Sequence, residues 1–355
     1  MSNENYFSEK LEKLLFLEIK KGSKINNYSF NENVYLPVNS DKIISKTKEG
    51  DDLSDIPVNL FVEGMVYVLG ADEKFRFNHI YIDIINAIDG SINYIKGKIF
   101  ENIKNEKYED GYIMLKGLIT VNCSKDVLEK ALMLSNSLRK VNGVYKEEIH
   151  QLISVSKQYE DFALPYYYET LLNNEEGKYE SAQFTINQYV SLGGKITDEI
   201  ADLKNNLEIV NKFSEGKELV YDDPKKALQI LIPLMDYLSD KVEIYYYIAI
   251  AYRVMENHEK AIYYLNDAVA IESDYVEVYN ELGINYACLK DFDTAIIYFK
   301  KVFEVTKALE VCTNLVMCFI NIGDIKQAKA HLKIAQKLDS NDEIVKDLEK
   351  ILTEI

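Results

Sequence analysis

The sequence predicts an all-α chain: an array of antiparallel helical hairpins, preceded by a short irregular or β-hairpin arm. Three observations carry this. First, three segments between Val242 and Asp342 repeat one apolar pattern. Tyr245, Ile248, Ala249 and Tyr252 lead to Ala261, Leu265 and Ala268. Tyr279, Leu282, Gly283 and Tyr286 lead to Ala295, Phe299 and Val302. Cys312, Leu315, Val316 and Phe319 lead to Ala328, Leu332 and Ala335. Second, the copies lie 34 and 33 residues apart (245 to 279 to 312), a period that marks a helical repeat array. Third, apolar residues keep a helical spacing from Ile56 almost to the end.

In chain order, residues 4–21 read as helix, with Phe7, Leu11, Leu14, Leu15 and Ile19 on a broad apolar side, ended by Gly22-Ser23. Up to Asp55, Asn and Pro alternate with Tyr28, Phe30, Val34, Tyr35 and Val38, which predicts a short hairpin or extended arm. Gly50-Asp51-Asp52 reads as a turn.

The period, laid backwards, places hairpin starts near residues 58, 92, 126, 163 and 208, ahead of 242, 276 and 309. Phe61 and Met65, then Phe77, Tyr81 and Ile84, form the first hairpin. The third has Tyr145 where the regular copies carry a small residue, and the first has Phe77 there. The long step from 163 to 208 coincides with Gly193-Gly194 and a long helical pattern from Thr197 to Leu219, a bend or a boundary. Four segments result: 1–57, helix and extended arm; 58–195, divergent hairpins; 196–342, the regular array; and 343–355, a capping helix with Ile344, Leu348, Ile351 and Leu352 on one side. Repeat arrays need such a polar-faced end.

Small residues at Ala182, Ala227, Ala261, Ala295, Ala328 and Gly111 let the second helix of each hairpin approach the first. Asp223, Asp291 and Asp324 stand where that second helix needs an N-cap, with Pro224 at its first position.

With this spacing and these small and large positions, the pattern resembles the tetratricopeptide repeat. The resemblance implies a right-handed α-solenoid whose first helices line a concave groove. It carries the groove-facing positions onto Glu243, Glu277 and Glu310; Tyr246, Asn280 and Thr313; Ile250, Ile284 and Met317; Arg253, Ala287 and Ile320; and Val254, Cys288 and Asn321. The expected surface has an acidic edge and an apolar floor, suited to a protein or peptide segment with basic and apolar side chains. The carboxylate clamp of some family members is not expected, since only Asn280 and Arg253 are present.

Net charge is −17, from 41 Lys+Arg against 58 Asp+Glu, which argues against nucleic acid or an anionic membrane as the main partner. No secretory signal is visible, and no run approaches the roughly 18 apolar residues of a membrane helix. Four Cys do not make a disulfide framework, and the cytoplasm is the expected location. Cys312 reads as core and Cys288 as groove-exposed.

No catalytic set, metal site or cofactor is expected. His258-Glu259 opens like a zinc-protease motif, but Ile262 replaces its second His. Gly193-Gly194-Lys195 reads as a helix stop, since Tyr189 stands where a phosphate loop needs Gly. Asn27-Tyr28-Ser29 and Asn122-Cys123-Ser124 are incidental glycosylation patterns. The expected function is a non-enzymatic scaffold or adaptor that binds a partner peptide in the groove; self-association is compatible with it. The alternative is a peptide-responsive receptor whose superhelix curvature changes on binding. Bacterial peptide-sensing regulators share this repeat type, but residues 1–57 show no helix-turn-helix, which favours the adaptor.

Overall fold

A computed structural model describes residues 3–43 and 56–355. The turn expected at Gly50-Asp51-Asp52 lies outside the described residues. The chain divides into two compact units, residues 1–198 and 199–355.

The first unit opens with α1 (Asn3–Glu9), a 3-10 turn (Lys10–Lys13) and β1 (Leu14–Ile19). The single helix expected over residues 4–21 therefore stops at Glu9. β1 pairs antiparallel with β4 (Val34–Asn39), from Leu14 opposite Asn39 to Ile19 opposite Val34. Apolar residues at 7, 11, 14, 15 and 19 suit helix and strand alike, and the ladder to β4 settles which forms. β2 (Lys24–Ile25) and β3 (Tyr28–Ser29) make the expected hairpin. It turns through Asn26 at φ 49°, a left-handed conformation that Asn tolerates. β4 buries Val34, Leu36 and Val38 in the core of this unit.

Helices α2 (Val58–Ala71), α3 (Asn78–Ala87), α4 (Ser91–Lys104), α5 (Tyr108–Val121), α6 (Lys125–Arg139), α7 (Tyr145–Ser156), α8 (Leu164–Glu175) and α9 (Tyr179–Ser191) follow. The expected hairpin starts fall on α2, α4, α6 and α8. The first hairpin departs from the regular pattern, because α2 packs chiefly on α5 rather than on α3. Glycine allows it: a Cβ on Gly70 would lie 1.8 Å from the Ile113 carbonyl oxygen, and one on Gly117 1.9 Å from that of Val66. A Cβ on Gly64 would lie 2.1 Å from the Pro37 carbonyl oxygen, so β4 approaches the same helix equally closely. After α9, Gly193 takes φ 78° and the Tyr189 ring lies against Gly194, its hydroxyl donating to the Lys195 carbonyl at 2.8 Å. Gly193-Gly194 is a helix stop.

The second unit holds α10 (Asp198–Glu218), α11 (Pro224–Leu234), α12 (Val242–Val254), α13 (His258–Ile271), α14 (Val276–Cys288), α15 (Phe292–Thr306), α16 (Leu309–Asn321), α17 (Ile325–Leu338) and α18 (Glu343–Glu354). The fifth hairpin's first helix thus begins at Asp198, well before residue 208. From α11 to α18 each helix packs on the next. Ala227, Ala261, Ala295 and Ala328 are fully buried where the hairpins cross, and a Cβ on Gly283 would meet the Phe299 ring at 2.6 Å.

The turn chemistry agrees. Asp223, Asp291 and Asp324 accept from the amides of Lys226, Thr294 and Gln327 at 3.1, 3.2 and 3.0 Å, and Asn257 does the same for α13. α18 buries Val345, Leu348 and Leu352 while Ile344 and Ile351 stay exposed, so its inward face is rotated from the expected one. No helix among the described residues is long and apolar enough to cross a membrane.

Candidate functional site

The candidate residues lie on the first helices of the three regular hairpins, α12, α14 and α16. In α14, residues 277, 280, 281, 284, 287 and 288 follow three- and four-residue steps and so share one side of the helix. Glu243, Tyr246, Ile250 and Arg253 do the same on α12, and Glu310, Thr313, Met317 and Asn321 on α16.

Contacts tie these stripes together. Arg253 Nε donates to Glu281 Oε2 at 2.7 Å, from one hairpin to the next. Tyr246 stands edge-on to Tyr275, 5.9 Å between ring centres, and edge-on to Tyr247 at 5.2 Å. Glu243 and Glu277 act electrostatically on the Tyr275 hydroxyl, and Glu310 on Glu281. Three carboxylates and three tyrosines therefore form a single acidic and aromatic surface over the buried Glu281, which pairs with Arg253. Burial, opposed by Arg253, holds the Glu281 carboxyl above the usual range. Burial also raises the Tyr246 hydroxyl, with Glu281 adding to it. Asn280 Oδ1 is buried and has no hydrogen-bond partner among the described residues.

Two predicted site residues are not available to a partner. Ile250 is 2 % exposed and belongs to the unit's apolar core, because α12 is packed on α11, α13 and α14 together. Thr313 is 3 % exposed and turns its hydroxyl back to the Glu310 carbonyl at 2.8 Å. The apolar floor rests instead on Ile284, half-buried, and Met317, 45 % exposed. Cys288 and Asn321 are exposed, and Ala287 is half-buried.

Sequence reasoning missed Glu281, the residue that engages Arg253; its position one step after Asn280 on the same stripe was the available signal. It also missed the pair between His258 Nδ1 and Asn285 Oδ1, 3.0 Å apart, with Asn285 Nδ2 donating to the Glu281 carbonyl at 2.8 Å. His258 thus opens α13 as a structural residue. Cys312 and Cys318 are both buried. No group of three metal-ligating side chains occurs among the described residues.

Residues 276–308 and 309–342 match the tetratricopeptide repeat family. No curated protein matches the chain. Among solved structures, MamA AMB-1 is 22% identical over 42% of this chain and 82% of its own, with a TM-score of 0.38. YrrB, described as a TPR protein with an unusual peptide-binding site, is 16% identical over 56% of this chain and 96% of its own, with a TM-score of 0.37. A thermophilic TPR protein of Thermus thermophilus is 17% identical over 54% of this chain and 97% of its own, with a TM-score of 0.32.

Proposed function

This chain is a tetratricopeptide-repeat protein over residues 276–342, and from that premise we propose that it is a non-catalytic scaffold holding a peptide segment of a partner protein against α12, α14 and α16. The partner segment carries basic and apolar side chains, and the complex forms in the cytoplasm. The regular array, residues 196–342, is the binding part; the divergent hairpins of 58–195 extend the scaffold.

The observation that carries this reading is the balance of donors and acceptors. Glu243, Glu277 and Glu310 lie on this surface with a single arginine, and Arg253 is already committed to the buried Glu281. Such a surface favours a segment rich in N–H donors, and the exposed Met317 beside it gives apolar side chains a place to dock.

The test is an array of lysine- and arginine-bearing peptides with interspersed apolar residues, probed with the full chain. Wild type captures a subset. Ile284→Lys with Met317→Lys loses capture while the far-ultraviolet circular dichroism stays unchanged. Undiminished capture by that double variant sinks the proposal. A fall in scattering radius on peptide binding would identify the complex as a receptor rather than an adaptor.

A further inference from the structure

The first unit contains a built pocket with its occupant in place. α1 seats Phe7, 2 % exposed, between Tyr112 and Tyr145, with ring centres 6.3 and 5.6 Å away. Both tyrosines are fully buried, and Lys116 Nζ lies 5.2 Å from the Phe7 ring centre. Around this ring the contacts are charged. Lys10 Nζ reaches Glu109 Oε2 at 2.7 Å, and the Tyr6 hydroxyl donates to Glu109 Oε1. Lys13 pairs with Asp110 and lies 4.1 Å from the Tyr67 ring centre. Tyr67 and Tyr145 also donate to Asp110 and Glu109, at 2.9 and 3.3 Å.

Residues 6–13 therefore present an aromatic pair followed by two lysines, Tyr6-Phe7 with Lys10 and Lys13. Of the segment's acids, Glu9 and Glu12 are exposed. The receiving residues Glu109 and Asp110 sit together in the first turn of α5, and among the described residues no other basic side chain forms an ion pair with either. Charge and shape on the two sides are complementary, and the β1–β4 ladder starts at Leu14, directly after Lys13.

We propose that the Tyr112–Tyr145–Glu109–Asp110 pocket is a receptor site for an aromatic–lysine segment of a partner protein, and that α1 with the 3-10 turn after it is the chain's own stand-in for it. The site is separate from the surface on α12, α14 and α16. An occupied pocket binds a competitor with an apparent affinity reduced by the fraction of molecules in which α1 has left. Release of α1 and the 3-10 turn then uncovers two tyrosines and two carboxylates whose cationic partners, Lys10 and Lys13, have gone with them, the surface such a segment recognises.

A synthetic peptide of residues 3–16 tests this on the full chain. The Tyr6→Ala/Phe7→Ala/Lys10→Ala variant binds it saturably, at least tenfold more tightly than wild type. Adding Glu109→Gln and Asp110→Asn to that variant weakens binding tenfold or more, and a scrambled peptide does not bind. Ile284→Lys with Met317→Lys leaves this binding unchanged, which separates its failure from failure of the proposed function. Three results overturn the proposal: no binding to the triple variant with its helical dichroism intact; equal binding to wild type, the triple variant and the carboxamide variant; or loss of helical dichroism in the triple variant, which makes α1 part of the core.

Discussion

Arg253 and Glu281 join two consecutive repeats, Nε to Oε2 at 2.7 Å, with the glutamate side chain only 8 % exposed and the arginine 23 %. Removing one member of such a pair leaves a desolvated charge, whereas replacing both by apolar groups removes the desolvation cost as well. Arg253→Ala is expected to destabilise the chain by about 3 kcal/mol in urea denaturation. Arg253→Met with Glu281→Met is expected to fall within about 1 kcal/mol of wild type. A double variant as unstable as the single one contradicts this.

The same pair sets a pH dependence. Burial raises the Glu281 carboxyl above the usual glutamate range, and Arg253 opposes the rise without cancelling it. Between the ordinary and the raised values, the folded chain holds a proton that the unfolded chain releases. The contribution of this group to stability is therefore full below the ordinary value and lost as pH rises through the raised one. The difference in unfolding free energy between wild type and Glu281→Gln is expected to decline with rising pH across that window. In an Arg253→Ala background the decline extends to higher pH, since the opposing charge is gone. A pH-independent difference rejects the assignment.

Gly70 and Gly117 make the closest backbone approach in the first unit. Gly70→Ala or Gly117→Ala forces α2 and α5 apart, at a cost of about 3 kcal/mol or more. Gly97, exposed in α4 with nothing within 4 Å of an added Cβ, behaves oppositely. Gly97→Ala is expected to stabilise by about 0.5–1 kcal/mol through helix propensity. Thermal unfolding of the three variants compares them directly.

Ile250 and Ile284 occupy related places on α12 and α14 yet differ in burial. Ile250→Lys drives an ammonium into the core, and unfolding is expected at several degrees below wild type, if the protein accumulates at all. Ile284→Lys is expected to cost under about 1 kcal/mol. Equal destabilisation by the two is the result that contradicts the assigned burial.

Asp291 and Asp324 cap α15 and α17 through the amides of Thr294 and Gln327. Replacement of either by Ala is expected to cost about 1 kcal/mol, and the two costs should add, because the caps share no partner. Denaturation of the single and double variants checks both statements.

What could be read from the chain and what could not divide along the range of the interactions involved. The hairpins of the second unit were legible because each rests on contacts within about one repeat. A buried Ala at 261, 295 or 328, an Asp at 291 or 324, and the apolar spacing between them all act over that range. Glu243, Glu277 and Glu310 were placed on the groove only by the resemblance to the repeat family. Glu281 and the burial of Ile250 were not legible, because they depend on which neighbouring helices press on α12 and α14. The segment from Leu14 to Ile19 shows the limit most clearly. Its apolar spacing admits a helix, and only the ladder to Val34–Asn39 makes it a strand. Likewise Gly64, Gly70 and Gly117 look like weak points in helices until the carbonyls of Pro37, Ile113 and Val66 are found against them. Local periodicity determined the repeat, its caps and its charge. Backbone approaches and side-chain burial between distant segments were decided by the tertiary structure, since a residue's own neighbours in sequence carry no record of them.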